Sequence, residues 1–181
     1  MKLKAFHAPF IARKILLNFT KSGIVSFTRG TESVVASAQK LLLAEVEKER
    51  LVELKANELM EQNEDKIAQE AADEAALFWL IKRQVAAEFG LLLEFEERFS
   101  DFATRLLAEL QKEDLLKFNV AQNRVKNIIF SAIDEYVKGF TTAEDAAFNK
   151  LKAKGVKIGG EEWSVLFEKY YENELKSRGL I

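Results

Sequence analysis

The sequence predicts an all-α protein built from two related helical units of about four helices each, in tandem about a pseudo-twofold. Three observations carry this. The 181 residues hold one proline and eight glycines, so long stretches lack the residues that stop helices. Apolar residues recur at helical spacing along most of the chain. The apolar pattern of residues 1–90 then returns in residues 91–181.

The first helix is expected over residues 9–21. Phe10, Ile11, Ile15 and Phe19 lie near one face, Pro9 suits the first helical position, and Gly23 lies just past the end. Residues 31–67 contain no glycine or proline. Val34, Ala38, Leu41, Leu42 and Val46 form a stripe there, with Thr31 as cap. The charged cluster Glu45–Arg50 interrupts it before Val52, Ala56, Leu59 and Met60, which predicts a turn near 49–52 or, alternatively, one continuous helix. Residues 70–89 place Ala71, Ala75, Phe78, Lys82 and Val85 along one face. In the second half, Phe95, Phe99, Phe102, Leu106 and Leu110 form one stripe. Val125, Ile128, Ile129, Ala132, Ile133 and Tyr136 form another. Thr141 with Glu144 reads as a capping box for a separate helix ending near Gly155. Gly159-Gly160 precedes a final helix that Gly179 ends.

The duplication rests on position-by-position agreement. A shift of 91 lays Ala12 on Ala103, Leu16 on Leu107, Lys21 on Lys112, Phe27 on Phe118 and Val34 on Val125. It continues with Val46 on Val137, Glu53 on Glu144, Ala56 on Ala147 and Ile67 on Ile158. A shift of 89 aligns Leu77-Phe78 with Leu166-Phe167 and Gly90 with Gly179. Two copies do not make a solenoid, so the units are set as 1–90 and 91–181, a pseudo-symmetric pair. The links "IVSF" and "LLKF" read either as ordered turns plugging the helix ends, the commoner outcome, or as short extended pieces paired across the pseudo-twofold.

Composition excludes several chemistries. With no cysteine, thiolate metal sites, disulfides and cysteine nucleophiles are absent. The single histidine, His7, is too little imidazole for an ordinary zinc or di-iron site, and its place near the terminus suggests a surface or capping role. A net charge of −2 suits a soluble cytoplasmic protein and weighs against a general nucleic-acid binder. No apolar run approaches the roughly 20 residues of a membrane span. Residues 1–31 carry Lys2, Lys4, Arg13, Lys14, Lys21 and Arg29 and no acid. This resembles a transit peptide in composition, but the repeat makes the segment part of the fold. Its charges suit an anionic membrane surface, a nucleic-acid backbone, another protein, or the chain's own residues 32–74, with twelve acids and five bases. Intramolecular docking is the first of these readings and the membrane ranks below nucleic acid.

Two charged stretches read as ordinary helix chemistry. "GGEE" at 159–162 lacks the lysine and strand of a phosphate loop, and its acids complement the positive helix end. "KLKAKGVK" at 150–157 suits a helix C-terminus and solubility. Glu45, Glu47 and Glu49 mark no catalytic pair.

In the last helix Trp163, Phe167 and Tyr170 share one arc with Leu166. Tyr171 and Leu175 widen it to about half the circumference, more than one packed face requires. Most of the row is expected to be core, with the edge at Tyr171 facing a partner. Glu174 falls within the arc and needs a basic or hydrogen-bonding partner if buried, for which the tyrosine hydroxyls are candidates.

The stretch "IGGEEWSVLFEKYYENELKSRGL" resembles the closing signature of the bacterial domain-of-unknown-function family 507. The match runs through Gly160, Glu162, Trp163, Leu166, Lys169, Tyr170, Tyr171, Glu174, Leu175 and Gly179. The opening "MKLK" is also similar, and the length is similar to that of longer, double-length members with two tandem copies. The first half lacks the glycine pair and the tryptophan, having Ala71, Ala72 and Glu74 there. The resemblance implies a fold and no activity, cofactor or site.

Function is therefore read as a non-enzymatic protein–protein interaction module, with Trp163, Phe167, Tyr170, Tyr171 and Glu174 as partner-binding candidates. The alternative is an RNA- or ribosome-associated factor using Arg13, Lys14, Lys21 and Arg29. An enzyme is the third reading. No catalytic residue, metal ligand or cofactor is assigned, and the oligomeric state is left open.

Overall fold

A computed structural model of the chain describes residues 3–63, 73–155 and 161–181, apart from the side chains at 161, 162 and 164. Ile67, Ala71, Ala72, Ile158 and the Gly159-Gly160 junction lie outside the described residues. The chain is predominantly helical. A 3-10 turn, Ala5–His7, leads into α1 (Ala8–Ser22), β1 (Val25–Phe27), α2 (Thr31–Gln62) and α3 (Glu74–Glu88). The same order then recurs as α4 (Phe95–Lys112), β2 (Leu116–Phe118), α5 (Gln122–Ala153) and α6 (Glu161–Ser177).

Local chemistry accounts for several boundaries. Pro9 sits in the first turn of α1, where its missing N–H has no helical partner to lose. Gly23 ends that helix with φ +65°, a conformation costly for side chains with a Cβ. The α3 start is capped by Asp73, whose Oδ1 accepts from the N–H groups of Ala75 at 3.0 Å and Ala76 at 3.2 Å. At α2 the cap position falls to Gly30, and Thr31, the expected cap, is the first helical residue with no capping hydrogen bond. The α3 stripe falls on the expected face: Val85 is buried, Phe78 and Lys82 are half-buried and Ala86 joins them, while Ala75 in the first turn is exposed.

Three expectations are corrected. The two links are extended, and they pair with each other: Val25 lies opposite Phe118, Ser26 opposite Lys117 and Phe27 opposite Leu116, antiparallel. Both strands alternate apolar inward and polar outward, with Ser26 and Lys117 exposed, which suits a strand rather than a turn. The Thr28 N–H extends the pairing to the Leu115 carbonyl at 3.1 Å.

The turn expected near 49–52 is absent, and α2 runs unbroken to Gln62. The charged cluster is an internal ionic crossing. Glu45 is buried, and its carboxylate accepts from Arg105 at 2.5 Å and from Arg98 Nε at 3.3 Å. Arg98 also donates to the Glu45 carbonyl at 3.0 Å and to Glu49 at 2.9 Å. The interrupted stripe is thus the point where α2 meets α4 through charge.

The separate helix expected from Thr141 is likewise absent. Thr141 lies inside α5, where its hydroxyl donates to the Val137 carbonyl at 3.3 Å, as Thr142 does to Lys138 at 2.8 Å. Back-bonding to the preceding turn lets a cap-forming residue type sit mid-helix. The stripe carries through it as Phe140, Ala143, Ala147 and Leu151, all buried.

One buried cluster draws on α1, the first part of α2, α4 and α5 to Ala143, and so crosses the boundary near residue 90. Beyond it, the second half of α2 carries α3, with a small separate cluster of Val52, Val85, Ala86 and Leu91. The second half of α5 carries α6. Both outer helices end in the same turn. Gly90 (φ +61°) and Gly179 (φ +63°) follow them, and the next N–H reaches back, Leu91 to Ala86 at 2.8 Å and Leu180 to Leu175 at 3.0 Å. Among the described residues no helix is long and apolar enough to cross a membrane.

Candidate interaction surfaces

The C-terminal row is engaged chiefly with α5. Trp163 is 9% exposed and meets the edge of Phe148 at 5.3 Å. Phe167 stacks on it at 6.2 Å, and Tyr171 stacks on Phe167 at 5.8 Å. Tyr171 also meets the Phe140 ring edge-on at 6.4 Å, and burial with the nearby Glu144 carboxylate pushes its phenol up. Phe167, Tyr170, Tyr171 and Glu174 are all half-buried. Glu174 finds its partners among cations rather than the tyrosine hydroxyls. It accepts from Lys150 and from Arg178 at 3.4 Å, and the Lys150 hydrogen bond holds it below the usual carboxylate range. Tyr170 accepts from Lys154, which lowers its phenol pKa and also lies over its ring at 4.9 Å. Two lysines of the 150–157 run therefore fasten α6 to α5.

Among the described residues the basic start makes no ion pair with residues 32–74. Its one ion pair among the described residues joins Lys14 to Glu135 of α5 at 2.7 Å. The Lys14 hydrogen bond, with Asn18 and Lys21 nearby, holds Glu135 below its ordinary range. These groups, with Asn127 and Ser131, line a shallow groove of about 460 Å³ between α1 and α5. The α1–α2 contact is instead apolar, since Ile11, Ile15 and Phe19 are buried in one cluster with Val34, Ala38 and Leu42. Arg13, Lys21 and Arg29 are exposed, so the structure brings Lys14 and Lys21 together and leaves Arg13 and Arg29 apart from that groove.

His7 takes the capping role of the two expected and is not a surface residue. It is 3% exposed, accepts the Lys4 N–H through Nδ1 at 2.9 Å, and meets Phe140 and Tyr136 edge-on at 4.7 and 6.0 Å. Burial, with the Lys4 charge, lowers its pKa to about 4, so the ring is neutral and structural. Among the described residues no group of three His, Cys, Asp or Glu side chains could hold a metal.

The surface that the sequence reading missed is on α3. Trp79 and Leu80 are 59% and 63% exposed, on a helix that buries only Val85 and Ala86. Lys82, which pairs with Glu53 at 2.9 Å, lies 5.4 Å over the Trp79 ring. The signal was present in "ALFWLIK", whose apolar run circles the helix instead of keeping to one face. Such a helix is normally covered on all sides, and among the described residues this one is covered on one.

Compared with known proteins, the chain matches a family model described as a protein of unknown function, DUF507, over residues 1–180. No curated protein matches it.

Proposed function

We propose that this chain, which belongs to the DUF507 family of proteins of unknown function, is a non-enzymatic protein–protein interaction module of the bacterial cytoplasm. The observation that carries the proposal is the outer face of α3, where Trp79 and Leu80 stand in solvent. A tryptophan supplies large apolar area at little entropic cost, and interface anchors are enriched in it.

A tandem duplication supports this assignment of roles. The strand register is isologous, since under the shift of 91 Val25 matches Leu116 and Phe27 matches Phe118, and each pairs with the other's counterpart. Ala12 and Ala103, Val34 and Val125, and Ala56 and Ala147 are buried in both members of each pair. On this reading α3 and α6 are counterparts. The α6 row is spent on α5, and its Tyr170 edge borders the solvent, whereas α3 turns its tryptophan outward.

The test is capture by the tagged chain from its native bacterium, with and without nuclease. A protein held by the parent chain and lost on Trp79→Gln with Leu80→Gln, at unchanged helicity, bears the proposal out. Capture that survives both substitutions and vanishes with nuclease sinks it. That outcome favours the second reading, a nucleic-acid-associated factor, which the exposed Arg13, Lys21 and Arg29 recommend and whose binding would fall steeply with salt.

A further inference from the structure

We infer that α3 docks on α3 of a second copy of this chain, antiparallel, about a twofold axis opposite residue 78. This rests on the reading of α3 as a docking face and names its partner. At about 100° per residue, Asp73, Ala76, Trp79, Leu80, Arg83 and Ala87 share an arc opposite the buried Val85. That arc carries two large apolar residues, two small ones, one anion and one cation. A single antiparallel register pairs Leu80 with Ala76 and Arg83 with Asp73.

In that register Leu80 of each copy lies over Ala76 of the other, so a projecting side chain meets a small one twice. Arg83 of each copy lies opposite Asp73 of the other, again twice. Arg83 is exposed with no ion pair among the described residues. Both capping hydrogen bonds of Asp73 go to Oδ1, so the cap leaves Oδ2 to accept a guanidinium. A face that complements itself in shape and in charge under a twofold operation is the condition for an isologous dimer. Trp79 flanks the seam, and Lys82, held inward by Glu53, lies over the other side of its ring.

The absence of native cysteine makes the register directly readable, because any disulfide is an engineered one. Chains carrying Ala76→Cys are mixed with chains carrying Leu80→Cys and mildly oxidised. The expected result is a mixed cross-link between 76 and 80 that outruns the 76–76 and 80–80 products, because like positions lie one helical turn apart in this register. In sedimentation velocity the parent chain is expected to show a dimer. Leu80→Glu, at a site already in solvent, is expected to weaken it by at least tenfold at unchanged helicity, and Arg83→Asp to weaken it as well.

A parent chain that stays monomeric overturns the self-pairing. If its capture of another protein still needs Trp79, α3 remains a docking face with a different partner. A dimer indifferent to Leu80→Glu overturns the pairing by placing the interface elsewhere, and a cross-link dominated by like positions overturns the register.

Discussion

Acid should destabilise this protein through His7, its one histidine. Burial lowers the imidazole pKa from 6.5 to about 4. Between those values the unfolded chain binds a proton that the folded chain refuses, so stability falls as pH falls through that window and is flat above it. With those two pKa values, the loss between pH 7 and pH 5 is about 2 kcal/mol, a sizeable part of the 5–15 kcal/mol that holds a typical domain together. Glu135 and Glu174, held low by their lysines, add little until the pH falls below about 5. Urea unfolding at the two pH values measures the loss, and His7→Gln should abolish most of it. The imidazole Cε1 proton gives an unambiguous NMR signal, since no other histidine competes. An unchanged pH difference in His7→Gln, or a folded-state titration midpoint near 6.5, would refute the reasoning.

Three further outcomes follow from the packing. Glu45→Ala leaves the buried Arg98 with Glu49 and a carbonyl as its acceptors and strands part of its charge. It should cost about 3 kcal/mol in chemical denaturation, and replacing Glu45, Arg98 and Arg105 together by apolar residues should cost less than this one deletion. Thr141→Pro should cost about 3 kcal/mol or more by calorimetry if α5 is continuous, whereas a helix starting there would accept proline readily. Trp163→Ala should cost about 3 kcal/mol and remove the blue-shifted component of tryptophan fluorescence, leaving the solvent-exposed Trp79 emission.

The helices most legible in sequence are those whose partners are apolar and whose opposite face is charged. Helices α1 and α4, and the long stripes of α2 and α5, follow from spacing alone. Failures arose where the deciding partner is distant. Glu45 reads as surface charge because Arg98 and Arg105 lie 53 and 60 residues away. His7 reads as a terminal group because Phe140 and Tyr136, which enclose it, belong to α5. The strands are three residues each, too short for a period of two to register, and their pairing joins opposite halves of the chain. Thr141 failed for a local reason, since one hydroxyl serves equally to cap a helix or to bond the preceding turn. The candidate surface was half legible. The arc of Trp163, Phe167 and Tyr171 was visible because Lys169, Glu172 and Lys176 oppose it. On α3 the inward face of Phe78, Lys82 and Val85 was visible, but the apolar Trp79 and Leu80 beside it carry no mark of turning outward.

The shared core has a consequence for how the chain is made. Residues Ile11, Ile15 and Phe19 are enclosed with Ile129, Ile133 and Phe140, which leave the ribosome much later. At 5–20 residues per second, the roughly 120 residues between Ser22 and Ala143 take on the order of ten seconds to synthesise. Through that interval α2 offers the nascent α1 a partner on one side only. The unfinished chain is then a natural client for a chaperone that holds apolar helices, and a message cut short before the codon for Ala143 yields a product with its interior bare, marked for proteolysis rather than for service as a half-sized protein.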